Sequence, residues 1–407
     1  MPSGFRPPKP HPLVLTLCRI ATRPALLLLY GIVGIEYRRE DLDLLASMRG
    51  ERVLFVPNHP TNAEPAVMFH LGQRLRQRFL FVSNREAFDR AFGLFGKLLQ
   101  GCGAYSIIRG APDRESFKFT RKLLGEPRTK LVIFPEGEVY SQNDTLLPFH
   151  EGVFHLALGA ADDLSEGETL TVMPVALKYR YLGDANWQIN YSLYRLERAL
   201  GVKHQPQASR YDRMVACADQ LLASAEAAYH LKPAKGQIGP GIFQARIDAV
   251  REAIVDRVAE GLGTSPGDRN RPLHERMRSL YHALYSVTSG EIEPDTPYEA
   301  RLAQEEQRRI RPLFDDMRRL ANWVAIRDSY VAEHPSVERF IDTLRRMEAE
   351  VFGKVRMRMR KRCLVRLGDP FELTARLGQY RTERKAAVAE LTDEAEGAVQ
   401  AVLDALQ

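Results

Sequence analysis

Between about residues 51 and 180 the sequence alternates short, continuously apolar runs with longer amphipathic stretches. Such runs predict buried strands, and the amphipathic stretches between them predict helices. The predicted strands are residues 52–56, 79–82, 104–108, 130–134 and 171–179. Strands that alternate with helices of this length indicate an α/β fold, with a layered, largely parallel sheet flanked by helices. The loops that follow the strands are then expected to gather at one edge of the sheet.

Beyond about residue 200 this alternation gives way to long stretches rich in Arg, Glu, Ala and Leu, with apolar residues at helical spacing. Residues 362–367 again predict a strand, and an amphipathic helix is expected from about residue 382 to 406. The chain is therefore predicted to return to the sheet after a helical insertion. The predicted segments are an N-terminal apolar membrane-interface segment (1–40), an α/β domain (41–204), a helical insertion (205–355), and a return strand with a C-terminal helix of the α/β domain (356–407).

The N-terminal segment is apolar overall, but Arg19, Arg23 and Pro24 interrupt it. Its longest uninterrupted run, residues 25–35, is shorter than the roughly 20 residues that a spanning helix needs. No small-residue cleavage site follows, as a secretory signal would require. We expect a segment that lies in the membrane interface, with its arginines reaching the headgroups. The alternative is a hairpin of helices packed on the protein's own core.

The formal net charge of +6 favours anionic partners, among them lipid headgroups and nucleic acid. The four cysteines, Cys18, Cys102, Cys217 and Cys363, lie far apart and form no C-x-x-C pair. This pattern is typical of a reducing compartment and predicts neither a zinc site nor a disulfide framework. Together with the N-terminal segment, it predicts a peripheral or monotopic protein on the cytoplasmic face of the cell membrane.

The segment around His59 and Glu64 is the sharpest local feature, and it begins where the first predicted strand ends. Pro65 disfavours helical geometry at Glu64 and suits the first position of a helix, so Glu64 is expected at an N-cap position. The preceding loop can then fold the carboxylate back onto the imidazole. A histidine backed by a carboxylate is a general base, because the carboxylate fixes the tautomer and stabilises the imidazolium. The alternatives are that His59 is a turn residue at the end of the strand and that Glu64 is a solvated residue at the start of the helix.

Three further segments also follow or carry predicted strands. Glu136 and Gly137 lie in a rigid turn after the fourth strand, where a carboxylate and backbone amides are able to hold a hydroxyl-rich acceptor. Arg109 ends the third strand beside a glycine and is able to grip a phosphate. Pro174 interrupts the fifth strand, which marks an edge or a bulge near a site. Taken singly, an acidic turn in solvent and an exposed arginine explain the first two equally well.

In this order, the four segments resemble the glycerophospholipid acyltransferase family, whose best-known members are the 1-acylglycerol-3-phosphate acyltransferases. The family's blocks are N-H-x4-D, a strand that ends in arginine, F-P-E-G-T-R-S, and an apolar stretch with a proline. The matching residues are Asn58, His59 and Glu64, then 106–109, 134–137 and 172–175. The resemblance covers about residues 15–200 and extends to 362–405.

The resemblance implies a catalytic pair and a set of substrate-binding residues. His59 would deprotonate the acceptor hydroxyl, which attacks an acyl thioester directly, and Glu64 would orient His59. The implied substrate-binding residues are Asn58, Arg109, Glu136, Gly137 and Pro174, of which Arg109 would bind an acceptor phosphate. The implied partners are acyl-CoA or acyl carrier protein, a lipid acceptor and an anionic membrane surface. No metal or organic cofactor is implied.

Two departures from the family pattern bear on the substrate. Glu64 replaces the usual aspartate and is one methylene longer, and Val139 stands where the family has arginine. The second change weakens the expectation of a phosphorylated acceptor and favours another lysophospholipid or related lipid, unless Lys178 or an arginine of the helical region supplies the missing charge. The first change raises an alternative, a non-catalytic membrane lipid-binding protein that keeps the fold.

A basic run at residues 354–362 is the remaining charged feature. It is interpreted as a surface for anionic lipid or as a solvated basic face. Nucleic-acid binding is motivated only by charge and is not expected. A hydrolase is the remaining alternative among enzymes, because a His–carboxylate pair can activate water, although no G-x-S-x-G motif supplies a serine nucleophile.

Overall fold

The computed structural model describes residues 4–89, 93–108, 113–139, 141–236, 241–289, 296–324 and 330–406. The chain forms two compact domains. A sheet domain extends to Gly183 and resumes at Arg358, and a helical domain spans Asp184–Met357.

The sheet domain is built on one mixed, largely parallel sheet of eight strands. The strands are β1 (Ile32–Tyr37), β2 (Arg52–Pro57), β3 (Leu80–Asn84), β4 (Ala104–Ile107), β5 (Lys130–Val132), β6 (Leu170–Tyr181), β7 (Lys361–Leu367) and β8 (Phe371–Glu372). Their order is β1-β7-β6-β2-β5-β3-β4, and β8 pairs with β6. All neighbours are parallel except β7 and β8, which run antiparallel to β6. The predicted α/β fold with a largely parallel sheet and a return strand is confirmed.

Helices flank the sheet and also form the whole helical domain. Those of the sheet domain before the helical domain are α1 (Pro12–Tyr30), α2 (Arg39–Ser47), α3 (Glu64–Leu75), α4 (Arg85–Asp89), α5 (Leu94–Cys102), α6 (Arg114–Gly125) and α7 (Glu151–Asp162). The helical domain contains α8 (Asn186–Leu200), α9 (Arg210–Ala228), α10 (Ile242–Leu262), α11 (Leu273–Ser289), α12 (Pro297–Val324), α13 (Tyr330–Glu333) and α14 (Val337–Phe352). The sheet domain ends with α15 (Leu377–Thr382) and α16 (Arg384–Asp404).

Two apolar cores lie on opposite faces of the sheet, because side chains alternate along each strand. On β2, Leu54 and Val56 join the core that includes α6, α7 and α16. Val53 and Phe55 join the core that includes α1 and α3. Strands covered on both faces need apolar residues at every position, which explains the continuous apolar runs of the sequence.

β1 is a strand that the sequence did not predict. Residues 32–37 were assigned to the N-terminal membrane-interface segment, and the structure places them in the sheet instead. Gly31 ends α1 with φ +69°, and a Cβ there would lie 2.4 Å from the carbonyl oxygen of Met359. The following residues pair in parallel with β7, which lies more than 300 residues later in the chain. Because residues 32–35 are as apolar as α1, the sequence alone predicted one continuous N-terminal segment rather than a helix followed by a strand.

α1 itself is long and apolar enough to cross a membrane, judged by its length and composition, and it is the one such helix in the described ranges. Only 6% of its most apolar stretch is buried. Leu13, Leu17, Ile20 and Leu28 are each at least two-thirds exposed.

The helical domain includes the predicted insertion, residues 205–355, together with the preceding helix α8. The predicted boundary lay at residue 204/205, whereas the sheet domain stops at Gly183, two residues after β6 ends. Residues 355–360, which carry most of the basic run, form neither helix nor strand. Arg358 and Arg360 are exposed, and Met359 between them is buried. This alternation is typical of an extended segment that is covered by protein on one side.

Candidate active site

The candidate site forms at the carboxyl ends of β2 and β5, which are neighbours in the sheet. The loop after β2 carries His59, and α3 begins at Glu64, one residue after its N-cap Ala63. The His59 Nδ1 atom lies 2.7 Å from Glu64 Oε2. The two residues thus meet across the four intervening loop residues 60–63, and Pro65 occupies the first turn of the helix, where its missing N–H costs nothing.

Glu64 is completely buried, and its two oxygens accept hydrogen bonds from several neutral groups. Oε2 accepts from the backbone N–H of Thr61 at 3.0 Å as well as from His59. Oε1 accepts from the Thr61 hydroxyl at 2.6 Å and from the hydroxyl of Tyr179 on β6. A buried carboxylate is stable only when it is bonded in this way.

The imidazole of His59 stacks on Phe134, with ring centroids 4.2 Å apart and an interplanar angle of 24°. Its side chain is 15% exposed. With Nδ1 bonded to a carboxylate, the hydrogen-bond pattern assigns the proton to Nδ1. Within the described residues no protein group bonds Nε2, which leaves its lone pair able to accept a proton from a ligand.

Glu136 fastens the His59 loop to the loop that precedes α7. Its Oε1 accepts from the backbone N–H of His59 at 2.6 Å, and its Oε2 accepts from that of Leu147 at 2.9 Å. Burial raises the pKa of Glu136 to about 7, although the two backbone hydrogen bonds oppose that shift. Glu136 was predicted to bind substrate, whereas both of its oxygens already hold the backbone of the site.

Gly137 follows Glu136 in a turn with φ +71°, closed by a hydrogen bond from its N–H to the carbonyl of Phe134. A Cβ there would lie 2.7 Å from His150 Nε2. Both the positive φ and the close approach of His150 require glycine. The turn directs Glu136 inward, toward the His59 loop.

Asn58, predicted to bind substrate, is buried, and its amide takes the place of a backbone partner for β6 beyond the end of β2. Its Nδ2 donates to the carbonyl of Leu177 at 3.0 Å, and its Oδ1 accepts from the N–H of Leu177 at 2.7 Å. Asn143 bonds the backbone of Tyr179 in the same two-fold way, at 2.7 Å for each bond. The two amides together hold the far end of β6, from which Tyr179 reaches Glu64.

Pro174, also predicted to bind substrate, is buried within β6, between β2 and the β7/β8 pair. The expectation of an edge strand is wrong. β7 ends opposite Val175 and β8 begins opposite Val172, so the missing N–H of Pro174 faces the break between them. Gly368 donates its N–H to the Pro174 carbonyl at 3.0 Å across that break. A proline is tolerated here because no ladder hydrogen bond is lost.

Arg109 and Lys178 are the remaining residues that the sequence analysis considered for the site. Arg109 lies outside the described residues. The Nζ atom of Lys178 lies 3.1 Å from Asp144 Oδ1, and both side chains are buried. Lys178 is therefore committed to Asp144 rather than available to replace the missing arginine.

Four residues of the site were missed by sequence reasoning: Thr61, Phe134, Asn143 and Tyr179. Thr61 lies between His59 and Glu64, three residues before Glu64, where a hydroxyl commonly bonds the start of a helix. Phe134 precedes the predicted Pro135-Glu136 turn. Asn143 and Tyr179 reach the site through tertiary contacts, and no local pattern indicates them.

Residues 32–178 match the family model described as Acyltransferase. Over this stretch the chain is similar to the acyltransferase family. The stretch contains β1–β5, most of β6 and the entire His59 loop. No curated protein matches the chain significantly. Tyr179 and the return strand β7 lie outside the residues matched to the acyltransferase family, although both belong to the same sheet.

Proposed function

We propose that this acyltransferase moves a fatty-acyl group from acyl-CoA or acyl carrier protein to a hydroxyl of a lysophospholipid or related lipid. The observation that carries the proposal is the buried Glu64 carboxylate bonded to Nδ1 of His59, with Nε2 free of partners among the described residues. This is the arrangement of a general base whose charged form is stabilised from behind.

In the proposed reaction, His59 Nε2 accepts the proton of the acceptor hydroxyl as its oxygen attacks the thioester carbonyl. A new ester bond forms, and the carbon–sulfur bond of the donor breaks. The leaving thiolate takes the proton back from the imidazolium, so that His59 ends neutral and no acyl group is attached to the enzyme. Glu64 stabilises the imidazolium through its hydrogen bond to Nδ1.

The residues predicted to bind substrate divide into two groups under this proposal. One group shapes the backbone around His59 in advance of substrate binding. It consists of Glu136, Gly137, Asn58 and Pro174. Arg109 keeps the predicted role of binding an acceptor phosphate. Because Val139 replaces the family's arginine, acceptors with a diester headgroup fit the proposal as well as phosphomonoesters do.

The membrane surface is the proposed location of the reaction. α1 exposes Leu13, Leu17, Ile20 and Leu28, an apolar face that water disfavours and an acyl-chain boundary accommodates. Flotation with vesicles of phosphatidylglycerol and phosphatidylcholine tests this location. A variant with Leu13, Leu17 and Ile20 all changed to serine is expected to lose most of its binding, and unchanged flotation would contradict the proposed location.

Acyl transfer from labelled palmitoyl-CoA and palmitoyl acyl carrier protein to a panel of lysophospholipids tests the activity. His59→Ala is expected to lower the rate by at least about 10²-fold, because it removes the general base. His155→Ala, on the exposed side of α7, is the matched control and should retain activity. Equal rates for wild type and His59→Ala would overturn the catalytic role. Vesicle binding without any transfer by wild type would favour the non-catalytic lipid-binding alternative.

Mass spectrometry of lipids recovered with the purified protein identifies the acceptor independently. A lysophospholipid and its acylated product in the wild-type extract would support the proposal, and enrichment of neither would count against it.

A further inference from the structure

Behind Glu64, away from His59, lies a buried column of two side chains from β6 and β7. The Tyr179 hydroxyl donates to Glu64 Oε1, and the Lys361 ammonium lies 3.8 Å from the centroid of the Tyr179 ring. Lys361 and Tyr179 are almost fully buried. The order from β7 to the solvent-facing histidine is therefore Lys361, Tyr179, Glu64, His59.

The direction of the hydrogen bond in this column follows from burial. Burial raises the pKa of Tyr179 well above its ordinary value, and the neighbouring Glu64 carboxylate is the second largest cause of this shift. The phenol therefore keeps its proton. Tyr179 must therefore donate, and Glu64 accept. A cation over an aromatic ring withdraws electron density from it, which strengthens the hydroxyl as a donor.

Glu64 needs such a restraint more than an aspartate would. A glutamate has one more rotatable bond, and its carboxylate is free to turn away from the imidazole unless other groups hold it. Tyr179 and the Thr61 hydroxyl both bond Oε1, which leaves Oε2 directed at His59 Nδ1. The longer carboxylate at this position is thus matched by donors that fix its far oxygen.

We propose that Tyr179, backed by Lys361, is a positioning residue that holds Glu64 against His59 and makes the return strand part of the acyltransferase site. This inference rests on the proposed function. Tyr179 lies one residue beyond the family match, and Lys361 enters the sheet only after the helical domain.

Tyr179→Phe is the decisive variant, because it removes one oxygen and keeps the ring beneath Lys361. We expect kcat for palmitoyl transfer to fall about 10-fold to 100-fold, the usual effect of losing one hydrogen bond to a buried charged group. KM for the lysophospholipid should change less than about 3-fold, since Tyr179 does not face the substrate.

Tyr105→Phe is the matched control. Tyr105 on β4 is equally buried, and its hydroxyl bonds Thr120 Oγ1 at 2.7 Å, away from His59. Both variants lose one buried hydrogen bond in the same sheet and should melt at similar temperatures. A purely structural role for Tyr179 predicts equal kcat for the two variants, and that result would overturn the proposal.

The pH profile provides a readout that general loosening of the fold would not change. Without the Tyr179 hydrogen bond, more negative charge remains on Glu64, which favours the imidazolium form of His59. The acidic limb of kcat/KM should then move to higher pH in Tyr179→Phe but not in Tyr105→Phe. The other ionisable groups around the pair, Glu136, Lys361 and Cys363, are identical in both variants. An unmoved limb would contradict the proposal.

A double-mutant cycle separates action through Glu64 from independent effects. If Tyr179 acts through Glu64, Tyr179→Phe should lower kcat little further once Glu64→Gln is present. Additive losses would overturn the proposal. Lys361→Met should shift the acidic limb in the same direction by a smaller amount, and a shift in the opposite direction would exclude the role of the cation.

The outcomes also distinguish this inference from the proposed function. If His59→Ala abolishes transfer while Tyr179→Phe matches Tyr105→Phe, only the positioning role fails. If wild type transfers no acyl group, both fail as statements about catalysis. In that case, NMR titration of labelled His59 in wild type and Tyr179→Phe still measures whether Tyr179 acts on the pair, and identical titrations would reject the contact as functional.

Discussion

Two groups of buried carboxylates, one in each domain, are held in different ways. In the helical domain, Arg246 bonds both Asp219 and Glu226, at 2.6 and 2.8 Å, and all three side chains are buried. Arg213 on α9 bonds Glu197 on α8 at 2.6 Å in the same manner. At the strand ends of the sheet domain, Glu64 and Glu136 accept from amides, hydroxyls and an imidazole, and within the described residues neither forms an ion pair with arginine or lysine.

This difference separates structural charges from a charge kept for chemistry. An arginine cancels the charge of its partner, and the pair then serves to orient two helices. Neutral donors stabilise a carboxylate but leave its net charge in place, available to an imidazolium that forms beside it. Removing an arginine partner should therefore affect stability, whereas changing the carboxylate held by neutral donors should affect catalysis.

Glu64→Gln should have the largest effect, and it should appear in activity. The amide cannot stabilise the imidazolium, so kcat is expected to fall by about 10³-fold, within the range for loss of general-base support. Steady-state transfer assays measure this. Activity within about 3-fold of wild type would show that the buried charge at the strand end is structural after all.

Arg246→Met should have a comparable effect on stability in the helical domain. It leaves Asp219 and Glu226 buried without their cation, and the free energy of unfolding is expected to drop by about 3–5 kcal/mol. Urea denaturation monitored by circular dichroism measures the change. The control is Arg269→Met, which removes a largely exposed pair with Asp256 and should cost less than about 1 kcal/mol. Equal losses of unfolding free energy in the two variants would contradict the expectation that the buried ion pairs stabilise the helical domain more than the exposed pair does.

Asn58→Ala should destabilise the sheet domain by roughly 2–4 kcal/mol. The substitution leaves both the N–H and the carbonyl of Leu177 without their side-chain partner inside the sheet. Thermal unfolding measures the loss, and Asn58→Asp should recover only part of it, because a carboxylate cannot donate to the Leu177 carbonyl. A stable Asn58→Ala protein with raised KM would instead support the predicted substrate contact.

Glu136 should give the smallest effect, visible as pH dependence. Its folded pKa of about 7 lies above the ordinary value of 4.5, so ionising it costs more in the folded protein than in the unfolded chain. The stabilisation is complete below about pH 4.5 and is lost as the pH rises toward 7, by roughly 1–3 kcal/mol. Denaturation of wild type and Glu136→Gln between pH 4.5 and 8 measures this. The wild-type advantage should shrink with pH, and parallel curves would contradict the shift.

The sequence was most informative where residues report on their immediate surroundings. The strands of the central sheet are buried on both faces and were therefore predictable as apolar runs. Their predicted ends lie within about three residues of the observed ends. Pro65 indicated that His59 and Glu64 meet across a loop, which matches the observed contact. The N-cap is Ala63 rather than Glu64, a shift of one residue.

The sequence was uninformative where partners are far apart in the chain. β1 forms because β7 offers it an edge, and nothing near residue 32 indicates that pairing. Asn58 and Pro174 were assigned to substrate, whereas their roles depend on β6 and on the β7/β8 break. Tyr179 is an ordinary strand residue until the fold brings Glu64 to it across 115 positions.

The placement of β7 between β1 and β6 has a consequence for how the chain is made. β1 leaves the ribosome first, and β7, its one neighbour among the described strands, follows roughly 320 residues later. At about 5–20 residues per second, that interval lasts between about 15 and 65 s. Throughout it, β1 has no partner strand among the described residues, whereas α1 is able to pack on α3 and α5, which are made soon after it. A nascent chain stalled before residue 361 should therefore remain open to protease at residues 32–37, and a chaperone has that time to bind this strand.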